Sequence, residues 1–189
     1  NNCRCNYSYV KSLKMNQKYI ITGAPGTGKT AIINALMQKD YSCAEEISRE
    51  IIAEQIMIGG DILPWKNQIA FENHIASLRK EQYLNSSENE NYFFDRSSID
   101  CIAYLKANRL GITTEITQIT KQCVFNKKVF ITPFWEEIYV NDGERMEDIK
   151  AAINIESSII ETYKSLGYTL VKVPKLSVSE RVNFILSNI

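Results

Sequence analysis

The eight residues Gly23-Ala24-Pro25-Gly26-Thr27-Gly28-Lys29-Thr30 satisfy G-x-x-x-x-G-K-[ST] at every fixed position. Their flanks restrict the chain further. Tyr19-Ile20-Ile21-Thr22 has the character of a short buried strand, and Ala31 to Met37 places Ile32, Ile33, Leu36 and Met37 on one helical face. A strand, a glycine loop and a helix in that order make backbone N–H groups converge on a phosphate at the helix N-terminus. A chance glycine turn would not bring both flanks. Gly23, Ala24, Pro25, Gly26, Thr27, Gly28, Lys29, Thr30 and Ala31 are therefore the expected cradle of a nucleoside triphosphate. Lys29 would reach the β- and γ-phosphates, and the Thr30 hydroxyl would bind Mg²⁺.

At 189 residues the chain is long enough for one full core. Lys+Arg and Asp+Glu balance at 22 each, so no general basic field draws it to nucleic acid. That counts against a nucleic-acid motor. No apolar run approaches the ~20 residues of a membrane span, and no stretch resembles a secretory signal. The five cysteines are odd in number and scattered. Cys3 and Cys5 lack the second pair that would complete a zinc site. Free thiols beside a nucleotide site point to a cytoplasmic protein. Residues 1–14 fit poorly with the rest of the chain and are expected to be an extension, with 15–189 forming a single domain.

Strands are expected at Tyr19–Thr22, Tyr41–Ala44, Asn91–Asp95, Val129–Thr132 and Tyr168–Val173. The helix after the glycine loop ends near Asp40. The next starts at Glu45 with carboxylates in its first turn, and Gly59-Gly60-Asp61 breaks it. A third opens at Leu63-Pro64-Trp65, Pro64 fitting its first turn, and buries Phe71, Ile75 and Leu78. A fourth carries Ile99, Ile102 and Ala103 inward. Ile112, Ile116, Ile119 and Cys123 share a helical spacing near Thr114–Val124. The most periodic helix places Ile149, Ile153, Glu156, Ile160 and Tyr163 on one side, with Ala152 and Ile159 beside them, and ends at Gly167. Ser177-Val178-Ser179-Glu180 is a capping-box signature for a last helix carrying Val182, Ile185 and Leu186. Strands alternating with helices imply an α/β fold, a parallel sheet with helices on both faces.

Several polar residues lie where such a sheet binds ligands. Asp95 ends an apolar strand and can orient Mg²⁺ or face an acceptor hydroxyl as base, although an acid there also serves as a helix cap. Arg96 can steady phosphate oxygens or form a surface ion pair. Glu46, Arg49 and Glu50 at i, i+3, i+4 share a helical face and can bind an acceptor or supply the base. They also suit an ordinary solvated face. Arg145, in Asn141-Asp142-Gly143-Glu144-Arg145, suits a lid that closes over the transferring phosphoryl. Phe134 and Trp135 can stack on a ring. His74, the single histidine, stands apart from any cysteine and is expected to be structural.

Together these residues resemble the NadR-type, AAA-like family of P-loop proteins, which includes the ribosylnicotinamide kinase domain of NadR and small bacterial ATP/GTP-binding proteins. The similarity runs from about Ile20 to Ile185. The family's E-x-x-R-E pattern matches Glu46, Arg49 and Glu50, and its D-G-x-R lid pattern matches Asp142, Gly143 and Arg145. Asp95-Arg96-Ser97 is similar to the E-R-S motif of deoxynucleoside kinases, with Asp for Glu. The resemblance implies a P-loop NTPase of nucleoside- or nucleotide-kinase-like fold: three α/β/α layers, a five-stranded parallel sheet in order 2-3-1-4-5, and a lid segment. It also implies ATP or GTP, with Mg²⁺. Where NadR kinases carry an F-I-D-T-D style segment, this chain has Phe93-Phe94-Asp95-Arg96-Ser97, a departure in the acceptor half.

The leading expectation is a kinase moving a γ-phosphoryl group to a nucleoside-like or other small hydroxyl acceptor. Lys29, Asp95, Arg145 and Glu46 would be catalytic, with Asp95 and Glu46 both open as the base. Glu46, Arg49, Glu50, Asp95 and Arg96 would hold the acceptor, and Thr30 and Asp95 the metal. A nucleotide sugar is one possible acceptor class. The alternative is a nucleotide-dependent switch or slow NTPase that binds a protein or lipid partner. The guanine-reading N-K-x-D pattern is absent, since Asn126-Lys127-Lys128 is followed by Val129.

Overall fold

The computed structural model describes residues 17–138 and 149–189. The apolar run before the glycine loop is strand β1 (Lys18–Thr22), buried along its whole length. Helix α1 (Lys29–Met37) follows the loop. The chain then forms β2 (Ser42–Ala44), α2 (Ser48–Ile58), α3 (Gln68–Asn85), β3 (Tyr92–Asp95), α4 (Ser98–Ala107) and α5 (Thr114–Gln122). It continues through β4 (Lys128–Ile131), a single 3₁₀ turn at Glu136–Ile138, α6 (Ile149–Ser165), β5 (Thr169–Lys172) and α7 (Val178–Leu186).

Every strand pairing is parallel, and the sheet order is β2-β3-β1-β4-β5. This is the order the family resemblance implies. Successive strand residues point to opposite faces, and the two cores divide accordingly. Tyr19, Ile21, Phe93 and Phe130 pack with Ile32, Leu36, Val182 and Ile185 of α1 and α7. Ile20, Phe94, Val129 and Ile131 pack on the other face with α3, α4, α5 and α6, through residues such as Ile75, Ile99, Ile116 and Ile159. The carboxyl ends of β1 and β3 lie side by side, with Ile21 paired to Asp95. The glycine loop and Asp95 therefore meet at one edge of the sheet.

Local signals place several helix boundaries. Ser177 and Glu180 form the expected capping box on α7, and Ser97 and Asp100 form a second one on α4. Other boundaries differ from expectation. Helix α2 starts at Ser48 rather than Glu45, because Glu46 turns inward and accepts the Ile47 and Ser48 N–H groups. Pro64 lies in a turn ahead of α3, which begins at Gln68 under an Asn67 cap. Ile112 precedes α5 and is exposed.

Helix α6 is rotated from the expected stripe. Ile149 and Ile153 are 43% and 49% exposed, whereas Ala152, Ile155, Ile159, Thr162 and Tyr163 are buried. Apolar residues occupy much of this helix, so periodicity alone does not choose the face. Packing on α4 does, with Ala152, Ile155, Ile159 and Tyr163 buried and a hydrogen bond from Ser158 Oγ to the Ala103 carbonyl of α4 at 2.7 Å. Ile159→Ala should therefore cost about 2–4 kcal/mol by opening a cavity. Ile153→Ala should stay within about 0.5 kcal/mol. Urea unfolding of the two variants separates the faces, and equal losses would contradict this orientation.

Candidate active site

The glycine loop is shaped by its neighbours. Gly23 has φ +146°, and a Cβ there would collide with the carbonyl and hydroxyl of Thr132, just beyond β4. The Thr132 hydroxyl donates to the Thr22 carbonyl at 3.0 Å and lies 2.6 Å from Thr27 Oγ1. Thr27 is buried and also donates to Ala24 O at 3.0 Å. Lys29 is buried, and its Nζ donates to Gly23 O at 3.1 Å and Ala24 O at 2.7 Å. Burial, aided by Arg96, lowers the Lys29 ammonium to about 7. Thr30 and Ala31 are exposed at the head of α1, and Thr30 lines the cavity in front of the loop.

A buried ion network forms the wall opposite. Glu46 sits just ahead of α2, where Arg79 Nη2 from α3 reaches its Oε1 at 3.2 Å and Arg96 Nε reaches its Oε2 at 2.8 Å. Arg96 Nη1 also pairs with Asp100 Oδ1 at 3.2 Å. Asp100 is fully buried and accepts from the Thr22 hydroxyl, the Ser97 N–H and the Tyr163 hydroxyl. Burial alone would raise the Glu46 carboxyl. Arg79, Arg96 and the Ser48 N–H outweigh it and hold Glu46 well below the usual carboxylate range. Arg96 has φ +72°, a costly conformation for a residue with a side chain. The ion pairs hold it there.

Asp95 behaves differently. It is 3% exposed, and its Oδ1 has no hydrogen-bond partner among the described residues. Burial pushes it up to about 6, against the opposing pull of Lys29. A cavity of about 430 Å³ runs from Pro25–Thr30 past Asp95 to a half lined by Ile52, Trp65, Gln68, Phe71, Glu72 and Tyr104. Glu46, Arg49 and Arg96 line it as well. Glu50 does not, and faces a separate surface groove with Glu45 and Glu81. Glu46 lies outside the helix, so it does not share a helical face with Arg49 and Glu50.

Glu72, Arg79, Asp100 and Arg181 join the site or its supporting network although no nucleotide- or acceptor-binding motif names them. Glu72 and Arg79 share the apolar face of α3 with Ile75, at i, i+7 and i+3, and charged residues inside such a stripe are the signal for them. Burial raises the Glu72 carboxyl to about 7. Ser97-x-x-Asp100 could have been read as a capping box. Arg181 had no sequence signal. It is buried and donates from Nη2 to the Thr27 carbonyl at 2.8 Å. Trp135 lies against the Arg181 guanidinium rather than on the cavity wall. Phe134 donates its N–H to Glu156, and His74 is half-buried on α3. The proposed lid residues Asp142, Gly143 and Arg145, and Cys3 and Cys5, lie outside the described residues.

Thr30 and Asp95 fit a share in a magnesium site. Both are oxygen donors on one cavity, and Asp95 Oδ1 is buried and unsatisfied. Among the described residues no group of three or more His, Cys, Asp or Glu side chains could hold a metal ion. Phosphate oxygens and water would have to complete the shell.

A glycine loop heading α1 on a 2-3-1-4-5 parallel sheet defines a P-loop protein of nucleoside-kinase-like fold. The chain belongs to the AAA domain family, whose profile matches residues 18–181. In structure it is similar to a NadR protein in complex with NR, with TM-score 0.68 and 17% identity over 92% of this chain. It spans about half the length of that NadR protein, covering 50% of it. A deoxyadenosine kinase from M. mycoides matches with TM-score 0.66 and 18% identity over 90% of this chain and 97% of its own. A thymidylate kinase from Ehrlichia chaffeensis matches with TM-score 0.62 and 13% identity over the same shares, 90% and 97%. No curated protein matches the sequence. Among the described residues no helix is long and apolar enough to cross a membrane.

Removing the Glu46 charge would leave the buried Arg79 guanidinium without a carboxylate and Arg96 with Asp100 alone. Glu46→Gln should therefore destabilise the protein by about 3 kcal/mol. A depressed carboxylate contributes stability above its unfolded pKa and loses it as pH falls through the folded value. The loss should thus be complete at pH 7 and nearly so at pH 5, measured by chemical denaturation. A loss that disappears at pH 5 would contradict the pairing.

Proposed function

We propose that the protein is a kinase that transfers the γ-phosphoryl group of ATP, or GTP, to a small hydroxyl acceptor of nucleoside-like shape. The supporting observation is one cavity holding both halves of such a reaction, with the unsatisfied Asp95 carboxylate between them. The acceptor half presents the rings of Trp65, Phe71 and Tyr104 beside the polar Gln68 and Glu72, a lining suited to a flat, polar-edged ring. Two of the structural neighbours are kinases by name.

The loop N–H groups and Lys29 bind the donor phosphates. Thr30 would ligate Mg²⁺ and Asp95 would orient it through water, so that its carboxylate stays able to take a proton; the ion would neutralise charge on the donor phosphates. The acceptor hydroxyl gives its proton to the Asp95 carboxylate as its oxygen bonds to the γ-phosphorus. The bond from that phosphorus to the β,γ-bridging oxygen breaks, and the diphosphate leaves with the electron pair. Asp95 is the better base of the two carboxylates. Its proton affinity is raised, and Glu46 is committed to two arginines. Glu46 and Arg96 orient the acceptor and Arg49 lines its approach; Arg145, outside the described residues, would supply the lid cation that its sequence pattern suggests.

Incubation with Mg·ATP and a panel of nucleosides, including ribosylnicotinamide, should yield a phosphorylated product. Slow hydrolysis with no acceptor consumed would instead favour a nucleotide-dependent switch. Lys29→Ala should abolish turnover. Asp95→Asn should lower kcat by about 10²–10⁴ while changing nucleotide affinity only a few-fold.

The pH dependence is set by the free-enzyme groups. The base must be ionised, so kcat/KM for ATP should rise as pH passes about 6. Lys29 must be charged, so kcat/KM should fall above about 7. Bound phosphates favour the charged ammonium, which moves the alkaline limb of kcat to higher pH. A kcat/KM profile flat from about pH 5 to 9 would rule out both assignments.

A further inference from the structure

Arg181 is a cation that the phosphotransfer scheme leaves unused. It comes from α7, is 3% exposed, and has no carboxylate partner among the described residues. Its Nε is buried without a hydrogen bond, and its guanidinium carbon lies 6.0 Å from the centre of the neutral Trp135 ring. Burying a guanidinium against neutral partners is unfavourable on its own. What it does engage is the phosphate loop, through the 2.8 Å bond from Nη2 to the Thr27 carbonyl.

That carbonyl belongs to the Thr27–Gly28 peptide. In a planar trans peptide the C=O and the N–H point in opposite directions. With Arg181 on the carbonyl side, the Gly28 N–H faces the other way, at the head of α1, and Gly28 lines the cavity. This N–H has no acceptor among the described residues. A second contact ties the two residues together: a Cβ on Gly28, whose φ is +79°, would stand 2.7 Å from Arg181 Nη1. The loop needs glycine there for the arginine as well as for the backbone angle.

We propose that Arg181 is a positioning residue of the donor-phosphate site: it fixes and polarises the Thr27–Gly28 peptide so that the Gly28 N–H is presented to the nucleotide phosphate. The inference rests on the nucleotide-binding reading above, but not on the identity of the acceptor. A charged donor on a carbonyl makes the N–H across the same peptide a stronger donor, since hydrogen bonds in series polarise one another. The phosphate beyond that N–H is the anion that offsets the buried guanidinium. No bond is made or broken at Arg181.

The test compares wild type with Arg181→Lys, Arg181→Gln and Arg181→Met by calorimetric titration with Mg·ATP and with adenosine, which lacks phosphates. Arg181→Gln and Arg181→Met should weaken Mg·ATP by about tenfold or more, while Arg181→Lys should stay within about threefold of wild type. Adenosine affinity should be the same in all four. In the ATP-bound state the Gly28 amide proton should move upfield in Arg181→Gln.

Wild-type Mg·ATP affinity in a folded Arg181→Gln protein would overturn the proposal. So would a parallel loss of ATP and adenosine, or loss of folding in Arg181→Gln, either of which makes the arginine a strut of the fold. Failure of the wild type to bind Mg·ATP would overturn the nucleotide site, and this proposal with it. Nucleotide binding without transfer to any acceptor would count against the kinase alone, and the affinities would still decide the role of Arg181.

Discussion

Arg96 stands in a left-handed backbone conformation between two carboxylates, Glu46 and Asp100, and the cavity wall is assembled around it. Glu46 brings the segment between β2 and α2, with Arg79 of α3 on its other oxygen. Asp100 ties in Thr22 at the end of β1 and Tyr163 of α6. Five segments distant in sequence are thus fixed relative to the glycine loop by one set of buried charges. Such a network specifies a single arrangement because each member is costly when left unpaired.

The same network sorts the acids by environment. Glu46 is held ionised by two guanidinium groups, whereas neighbouring Asp95 is buried beside Lys29 with one oxygen unsatisfied, and its proton affinity rises. Two carboxylates on one cavity with separated proton affinities are the usual basis for separate chemical roles. Lys29 folds onto the carbonyls of its own loop while its affinity for a proton falls. An incoming phosphate would compete with those carbonyls for the ammonium.

Much of the frame is legible residue by residue. The glycine loop appears with its strand and helix, the five strands fall where apolar runs predict them, and Ser177 and Glu180 cap α7 as their spacing requires. These features depend on partners a few residues apart. Arg79 and Glu46 are separated by 33 positions and Tyr163 and Asp100 by 63, so no local spacing announces either contact. On α6 the apolar residues cover more than one face, and the buried one is chosen by α4. Arg181 carries no motif because its partner is a backbone carbonyl 154 residues away.

By itself the sequence determined the short-range matters: a phosphate loop at a helix head, alternating strands and helices, and hence a parallel sheet with its ligand edge at Thr22 and Asp95. Hydrogen bonds of helices, caps and tight glycine turns close within a few residues, so residue type and spacing suffice for them. The tertiary structure alone decided which carboxylate is neutralised and which is left facing the cavity. It also drew Glu46 out of its expected helix and turned Glu50 away. Those outcomes depend on desolvation and on charges contributed by distant segments, which exist only once the chain has packed.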